Sequence, residues 1–146
     1  MIVEILTIEK GEVVDSLVVK NTLVNVGREY IAKIIGGLHT KPFRYIQIGT
    51  GTKPPSDEDT ELDQFYAEKE ASVGEYRAWW VEYNPYWIAN VLDCTFSFSE
   101  EVTITEAGIF DDLYANSPNM LARVVFSPRK MTPDKTLRIR WGIRVF

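Results

Sequence analysis

Two segments of the chain alternate strictly between apolar and polar residues, and this period of two constrains the fold more than any other feature. In the last segment the apolar set is Leu137, Ile139, Trp141, Ile143 and Val145, and the polar set is Arg138, Arg140 and Arg144. In residues 88–99 the apolar set is Leu92, Cys94, Phe96 and Phe98. A strand places successive side chains on opposite faces, so both segments predict half-buried antiparallel strands.

The rest of the chain predicts further strands and one helix. β-Branched residues in 2–8 and 13–19, on either side of Gly11, indicate a hairpin. Apolar residues at three- and four-residue spacing predict a helix over 22–35, with Asn21 or Thr22 as its N-cap and Gly36 and Gly37 at its end. Gly27 inside that helix fits close packing against a strand. Further strands are predicted at 44–48, 75–83, 102–105, 108–110 and 120–126, while 62–71 fits a helix or an irregular connection.

These elements predict a mainly β fold: an antiparallel sandwich or open barrel with one packed α-helix near residues 22–35 and an N-terminal strand or arm. Residues 1–20 would form the N-terminal strand or arm segment, and residues 21–146 a single β-rich domain. A length of 146 residues fits one domain with a core of its own.

Composition narrows the classes of function. One Cys and one His are too few for a disulfide framework or for the usual four Cys and His ligands of zinc. The net charge of −5 disfavours a nucleic-acid partner, because affinity for phosphate depends on Lys and Arg. No apolar run is long enough to span a membrane, and the first residues do not resemble a signal peptide. We therefore expect a complete, soluble chain made in the cytoplasm, without cofactor, metal, membrane or nucleic acid.

Four features that resemble catalytic or metal motifs have simpler interpretations. His39 has no acid-rich or serine-centred motif beside it, which favours a plain loop histidine over a general base. Cys94 falls on an apolar strand face, as a buried side chain rather than a nucleophile would. Residues 49–53 (GTGTK) lack the spacing of a phosphate-binding loop. The acidic run 56–63 (SDEDTELD) has the carboxylates for calcium but no glycine at the sixth loop position, and acids at a helix start need no metal.

Arginines and an apolar terminal strand supply two candidate interfaces. Arg138, Arg140 and Arg144 could form a solvated face paired with acids of adjacent strands, an intersubunit surface, or a contact with an anionic partner, and Arg123 could lie near them. Ile2, Val3 and Ile5 lie in a terminal strand that could add to the sheet of a neighbouring molecule.

The most unusual segment is 79–87, whose aromatic residues are Trp79, Trp80, Tyr83, Tyr86 and Trp87. In a strand, Trp79 and Trp80 face opposite sides, so one of them would meet solvent or a partner. Trp and Tyr are enriched at interface hot spots, which makes this segment a candidate interface. A core cluster at the end of a hairpin and a saccharide-binding platform are the alternatives.

Several segments, read in order and spacing, resemble a family of small virion proteins of tailed bacteriophages. They are residues 21–28 (NTLVNVGR), 45–52 (YIQIGTGT), 59–62 (DTEL), 104–111 (ITEAGIFD) and 121–126 (LARVVF), followed by Lys130 and 137–141 (LRIRW). The resemblance covers about residues 21–145. It does not include the first twenty residues or the aromatic segment 79–87.

The resemblance implies a non-enzymatic, β-rich structural protein of the phage particle, with no catalytic residues to transfer. The chain lacks coiled-coil heptads and a repetitive shaft, which favours a capsid decoration protein over a fibre. Such a protein would bind the major capsid protein on the outer shell as an oligomer, and the resemblance implies a trimer. The alternative is a tail or tail-fibre protein that contacts a host receptor, with the aromatic segment binding host glycans.

Overall fold

The computed structural model describes residues 2–75 and 90–143, and in this part of the chain antiparallel strands dominate. The elements in chain order are β1 (Ile2–Glu9), β2 (Glu12–Lys20), β3 (Thr22–Leu23), α1 (Asn25–Ile35), β4 (Tyr45–Gly49), β5 (Phe65–Glu70), β6 (Ser72–Glu75), β7 (Asn90–Ser97), β8 (Val102–Phe110), a 3₁₀ turn (Tyr114–Asn116), β9 (Met120–Met131) and β10 (Lys135–Ile143).

The strands form two five-stranded sheets that pack as a sandwich. Sheet A has the order β2-β1-β10-β7-β6, and sheet B has the order β3-β9-β8-β4-β5. The mainly β fold is confirmed, and of the two predicted architectures the sandwich is correct because the sheets do not close into a barrel. The predicted apolar faces lie between the sheets: the side chains of Leu137, Ile139 and Trp141 are fully buried, and Cys94 and Phe96 pack in the same core.

The N-terminal segment is a strand of sheet A and does not project as an arm. The hairpin turns at Lys10 and Gly11, both with positive φ, as a two-residue turn between right-handed twisted strands requires. β1 then pairs with β2 on one side and with β10 on the other. In sheet A β1 lies between β2 and β10, so the first twenty residues belong to the same sheet as the last strand of the chain.

The helix begins later than predicted, because Thr22 and Leu23 pair with β9 before the chain turns. Neither Asn21 nor Thr22 caps it: the N-cap is Val24, which makes no side-chain cap hydrogen bond. The predicted end at Gly36 is correct, and the close packing predicted for Gly27 is present, since a Cβ there would overlap the Leu121 carbonyl of β9.

Two further predictions differ from the structure. Residues 62–71 contain strand β5, which pairs with β4, rather than a helix or an irregular connection. The predicted strands 102–105 and 108–110 are one strand, β8, whose register with β9 shifts between Ile104 and Glu106. Across this shift β9 has residues 126–128 opposite the single Thr105 of β8, so the extra residues belong to β9. β8 is almost wholly buried.

Candidate functional site

Three charged side chains form a buried network against the outer face of sheet B. Arg123 of β9 is 2% exposed, Glu106 of β8 is 0% exposed, and Asp59 of the loop 50–64 is 7% exposed. The Arg123 guanidinium donates from Nε to Glu106 Oε1 (3.1 Å) and from Nη1 to Asp59 Oδ2 (3.0 Å). Its Nη2 donates to the Lys53 carbonyl at 2.9 Å. Buried charges need such pairing, because an isolated ion in the interior is strongly destabilising.

Glu106 also supplies acceptors for the backbone of the loop 50–64. Its carboxylate accepts hydrogen bonds from the amides of Gly51, Asp63 and Gln64 at 2.7–2.9 Å. The hydroxyl of the neighbouring Thr105 donates to the Gly51 carbonyl. The loop 50–64 has no neighbouring strand in the described part of the chain to accept hydrogen bonds from these amides, so the Glu106 carboxylate supplies the acceptors that a strand would supply in a sheet.

In the acidic run 56–63 the carboxylates of Asp59 and Asp63 are engaged in contacts that hold the loop. Asp59 accepts from Arg123 and from the Ser56 amide, and Asp63 accepts from the amides of Thr52 and Lys53. Within residues 2–75 and 90–143 no group of three His, Cys, Asp or Glu side chains is arranged to hold a metal ion.

The segments that carry the resemblance to phage virion proteins meet at this network. Segments 45–52, 59–62, 104–111 and 121–126 contribute, respectively, the Gly51 amide, Asp59, Glu106 and Arg123. These residues hold the loop 50–64 to sheet B.

The arginines of β10 lie on the outer face of sheet A and pair with acids of the adjacent strands. Arg138 forms a two-pronged contact with Asp93 of β7, with Nε–Oδ1 at 3.0 Å and Nη2–Oδ2 at 2.6 Å. Arg140 donates to Glu4 of β1 at 3.0 Å, directly across the strand pair. This geometry matches the interpretation as an acid-paired strand face. Arg123 is not near them, because it belongs to sheet B.

Two other sets of candidate interface residues have different outcomes. Ile2, Val3 and Ile5 are 8%, 0% and 1% exposed in the folded chain, because β1 is an interior strand paired on both edges. Val3 and Ile5 belong to the core between the sheets, and a role of β1 in an interface stays a prediction. Trp79, Trp80, Tyr83, Tyr86, Trp87 and Arg144 lie outside the described residues.

The single histidine has an acidic partner that the sequence did not indicate. His39 Nε2 lies 3.0 Å from Asp111 Oδ2, and the imidazole edge packs on the Tyr30 ring. Asp111 also accepts from the amide and side chain of Asn119. The pair thus ties the loop after α1 to the end of β8. Cys94 is buried as predicted, and burial raises the pKa of its thiol to about 12.

One exposed apolar surface lies on β2, which the sequence analysis did not single out. β2 is at the edge of sheet A, and β1 is its one partner among the described strands. Val13, Val14 and Val18 are 56%, 54% and 49% exposed. The signal was present in the sequence as paired valines, Val13-Val14 and Val18-Val19, which place apolar side chains on both faces of one strand.

Comparison of the chain with protein-family models, with curated proteins and with solved structures finds no match in any of the three. The described helix is too short and too polar to cross a membrane. The resemblance of several segments to phage virion proteins therefore stays an expectation, and function has to be inferred from the contacts of the chain itself.

Proposed function

We propose that the chain is a non-enzymatic structural protein of a tailed-bacteriophage particle: a decoration protein that binds the outer capsid shell as a trimer. Its partners are other copies of itself and the major capsid protein, and its location is the capsid surface after synthesis in the host cytoplasm. By binding the assembled shell and not its dissociated subunits, such a protein stabilises the shell through mass action.

The edge of β2, which is unpaired within residues 2–75 and 90–143, is the observation that most supports this proposal. The strand has nine residues, and its unpaired edge is flanked by the three exposed valines. Proteins that remain monomeric protect long apolar edges with charges, prolines or a covering segment, because an open edge pairs readily with another chain. The charged residues of β2 are Glu12, Asp15 and Lys20, and the exposed valines lie between them without being covered.

The buried network supports a scaffold role in a second way. Arg123, Glu106 and Asp59 fix the loop 50–64 to sheet B through contacts between residues that are far apart in the sequence. A rigid scaffold that presents an open strand edge is suited to binding identical sites repeated over a shell.

The first test is the number of copies in purified particles, measured by quantitative mass spectrometry against the major capsid protein. A decoration protein should be present in numbers comparable to the capsid subunit. A few copies per particle would contradict the capsid assignment and favour the tail or tail-fibre alternative. Absence from the particles would refute a virion role.

The second test is the solution mass of the purified chain by light scattering. A mass of three subunits supports the trimer. A mass of two would contradict it and favour an antiparallel β2–β2 contact centred on Ser16, in which Glu12 of one copy faces Lys20 of the other. A monomer at all concentrations would contradict self-association through β2.

A further inference from the structure

A cleft lies on the outer face of sheet B, on the side opposite the core. It has a volume of about 610 Å³ and is bounded by residues 60–63 and by the 3₁₀ turn Tyr114–Asn116. Gln47 of β4, Phe65 of β5 and Phe110 of β8 line it from the sheet. Small-molecule sites commonly fall between 300 and 1,000 Å³, with a few polar groups among aromatic side chains.

One polar group lining the cleft has no hydrogen-bond partner among the residues that the structure describes. Gln47 is 2% exposed, and its amide nitrogen Nε2 makes no hydrogen bond. A buried donor without an acceptor destabilises the fold. Most buried polar groups in folded proteins are satisfied, so this amide marks a position where an acceptor oxygen from outside the chain fits.

An aromatic surface stands beside this donor. The rings of Phe65 and Tyr114 stack in parallel, with centroids 4.0 Å apart and planes 6° apart. Tyr114 is 52% exposed, and its backbone amide donates to the Glu68 carboxylate, which holds the turn in place. The stacked pair leaves one ring face open while keeping the tyrosine oriented.

The charge of the lining limits what can bind. Glu61 and Asp63 are the charged residues of the described lining, which contains no Lys or Arg. Phosphates, sulfates and sialic acids would be repelled by these carboxylates. A cation would suit them but could not accept a hydrogen bond from the Gln47 amide.

We infer that this cleft binds a neutral saccharide unit. A pyranose places its C–H face on the open ring of Tyr114, while a hydroxyl or ring oxygen accepts the hydrogen bond from Gln47 Nε2. Another hydroxyl donates to the Glu61 carboxylate. A sugar hydroxyl is both donor and acceptor, which is the combination that an unpaired amide donor and a free carboxylate require together. The inference holds wherever on a particle the chain is located.

The experiment is a screen of the intact chain on a glycan array carrying neutral and sialylated saccharides. The best neutral glycan is then titrated into ¹⁵N-labelled protein while the Gln47 side-chain amide is followed by NMR. We expect binding of neutral glycans, with shifts at Gln47 and Tyr114. Tyr114→Ala and Gln47→Leu should each weaken binding about tenfold, through loss of stacking and of one hydrogen bond.

Leu113→Ala is the matched control, since Leu113 is exposed beside the turn but does not line the cleft. It should bind as the wild type does. Gln47→Leu should be as stable as the wild type or more so, which separates loss of binding from loss of folding. Three results would overturn the inference: no shifts at about 10 mM glycan, where even a millimolar site is largely occupied; array binding confined to anionic glycans; or affinity unchanged in both cleft variants.

Discussion

Replacing Glu106 with Gln should destabilise the fold far more than its conservative size suggests. Each carboxylate oxygen accepts two hydrogen bonds: Oε1 from the Asp63 amide and Arg123 Nε, and Oε2 from the amides of Gly51 and Gln64. A glutamine has one oxygen and one NH₂ group. Whichever way its amide is oriented, the NH₂ group faces two buried donors, and Arg123 loses the charge that it is paired with.

The expected loss can be worked from these contacts. Two donors left without an acceptor cost about 1–3 kcal/mol each. Breaking a buried ion pair by removing one partner costs about 3–5 kcal/mol in total, so the two routes agree. For a chain of this size the melting temperature should fall by roughly 6–20 °C.

Thermal and urea unfolding followed by circular dichroism measure this difference. Glu101→Gln is the control, because Glu101 pairs with Lys130 at 3.1 Å but both side chains are about two-thirds exposed. That variant should lie within about 0.5 kcal/mol of the wild type. If Glu106→Gln also lay within about 1 kcal/mol of the wild type, the network would not be what holds the loop, and the reasoning would fail.

Three further predictions test the packing, the core and the edge. Gly27→Ala should destabilise the fold by about 1–3 kcal/mol through overlap with the Leu121 carbonyl, although alanine favours helices. Gly36→Ala is the control and should be neutral, because a Cβ has room at that position. Equal unfolding curves for the two variants would contradict the close packing at Gly27. Burial raises the pKa of the Cys94 thiol from 9.0 to about 12, so the native protein should react slowly with Ellman's reagent, and fast reaction of the folded chain would refute this. The free energy of unfolding should also fall as the pH rises above 9.0, because the thiol ionises there in the unfolded chain but not in the folded one. Val18→Lys should shift the light-scattering mass towards the monomer while Val18→Thr should not, and equal masses would exclude the β2 edge from self-association.

Much of the sheet structure was predictable because sheet A has one buried and one solvated face. Its strands β7 and β10 carry the alternation that such a position requires, and both were predicted. The errors fall where long-range pairing overrides a local pattern. Phe65–Glu70 contains apolar residues that also fit a helical spacing, and only its pairing with β4 makes it a strand. Thr22 and Leu23 likewise join β9 although they continue the helical pattern.

The buried network was not predictable from local sequence. Asp59 and Arg123 are 64 positions apart, and a charge in a segment does not show whether it is solvated or buried. Asp59 therefore fitted an acid at a helix start, and Arg123 fitted an exposed stripe. The resemblance marked the segments that meet at the network, but it gave no physical reason for them. That reason appears in the folded chain, where the side chains of Thr105 and Glu106 both hydrogen-bond to the backbone of Gly51.

The network and the cleft share a stretch of backbone, and this links stability to binding. Glu106 fixes the amides of Asp63 and Gln64, next to Leu62, which packs on Phe110 and lines the cleft. Glu106 does not itself line the cleft. At a temperature where the variant is still folded, Glu106→Gln should therefore weaken the binding of a neutral glycan in the same NMR titration, while Glu101→Gln should not. Equal affinities for Glu106→Gln and wild type would mean that the wall of the cleft keeps its shape without the network, and that the two features are independent.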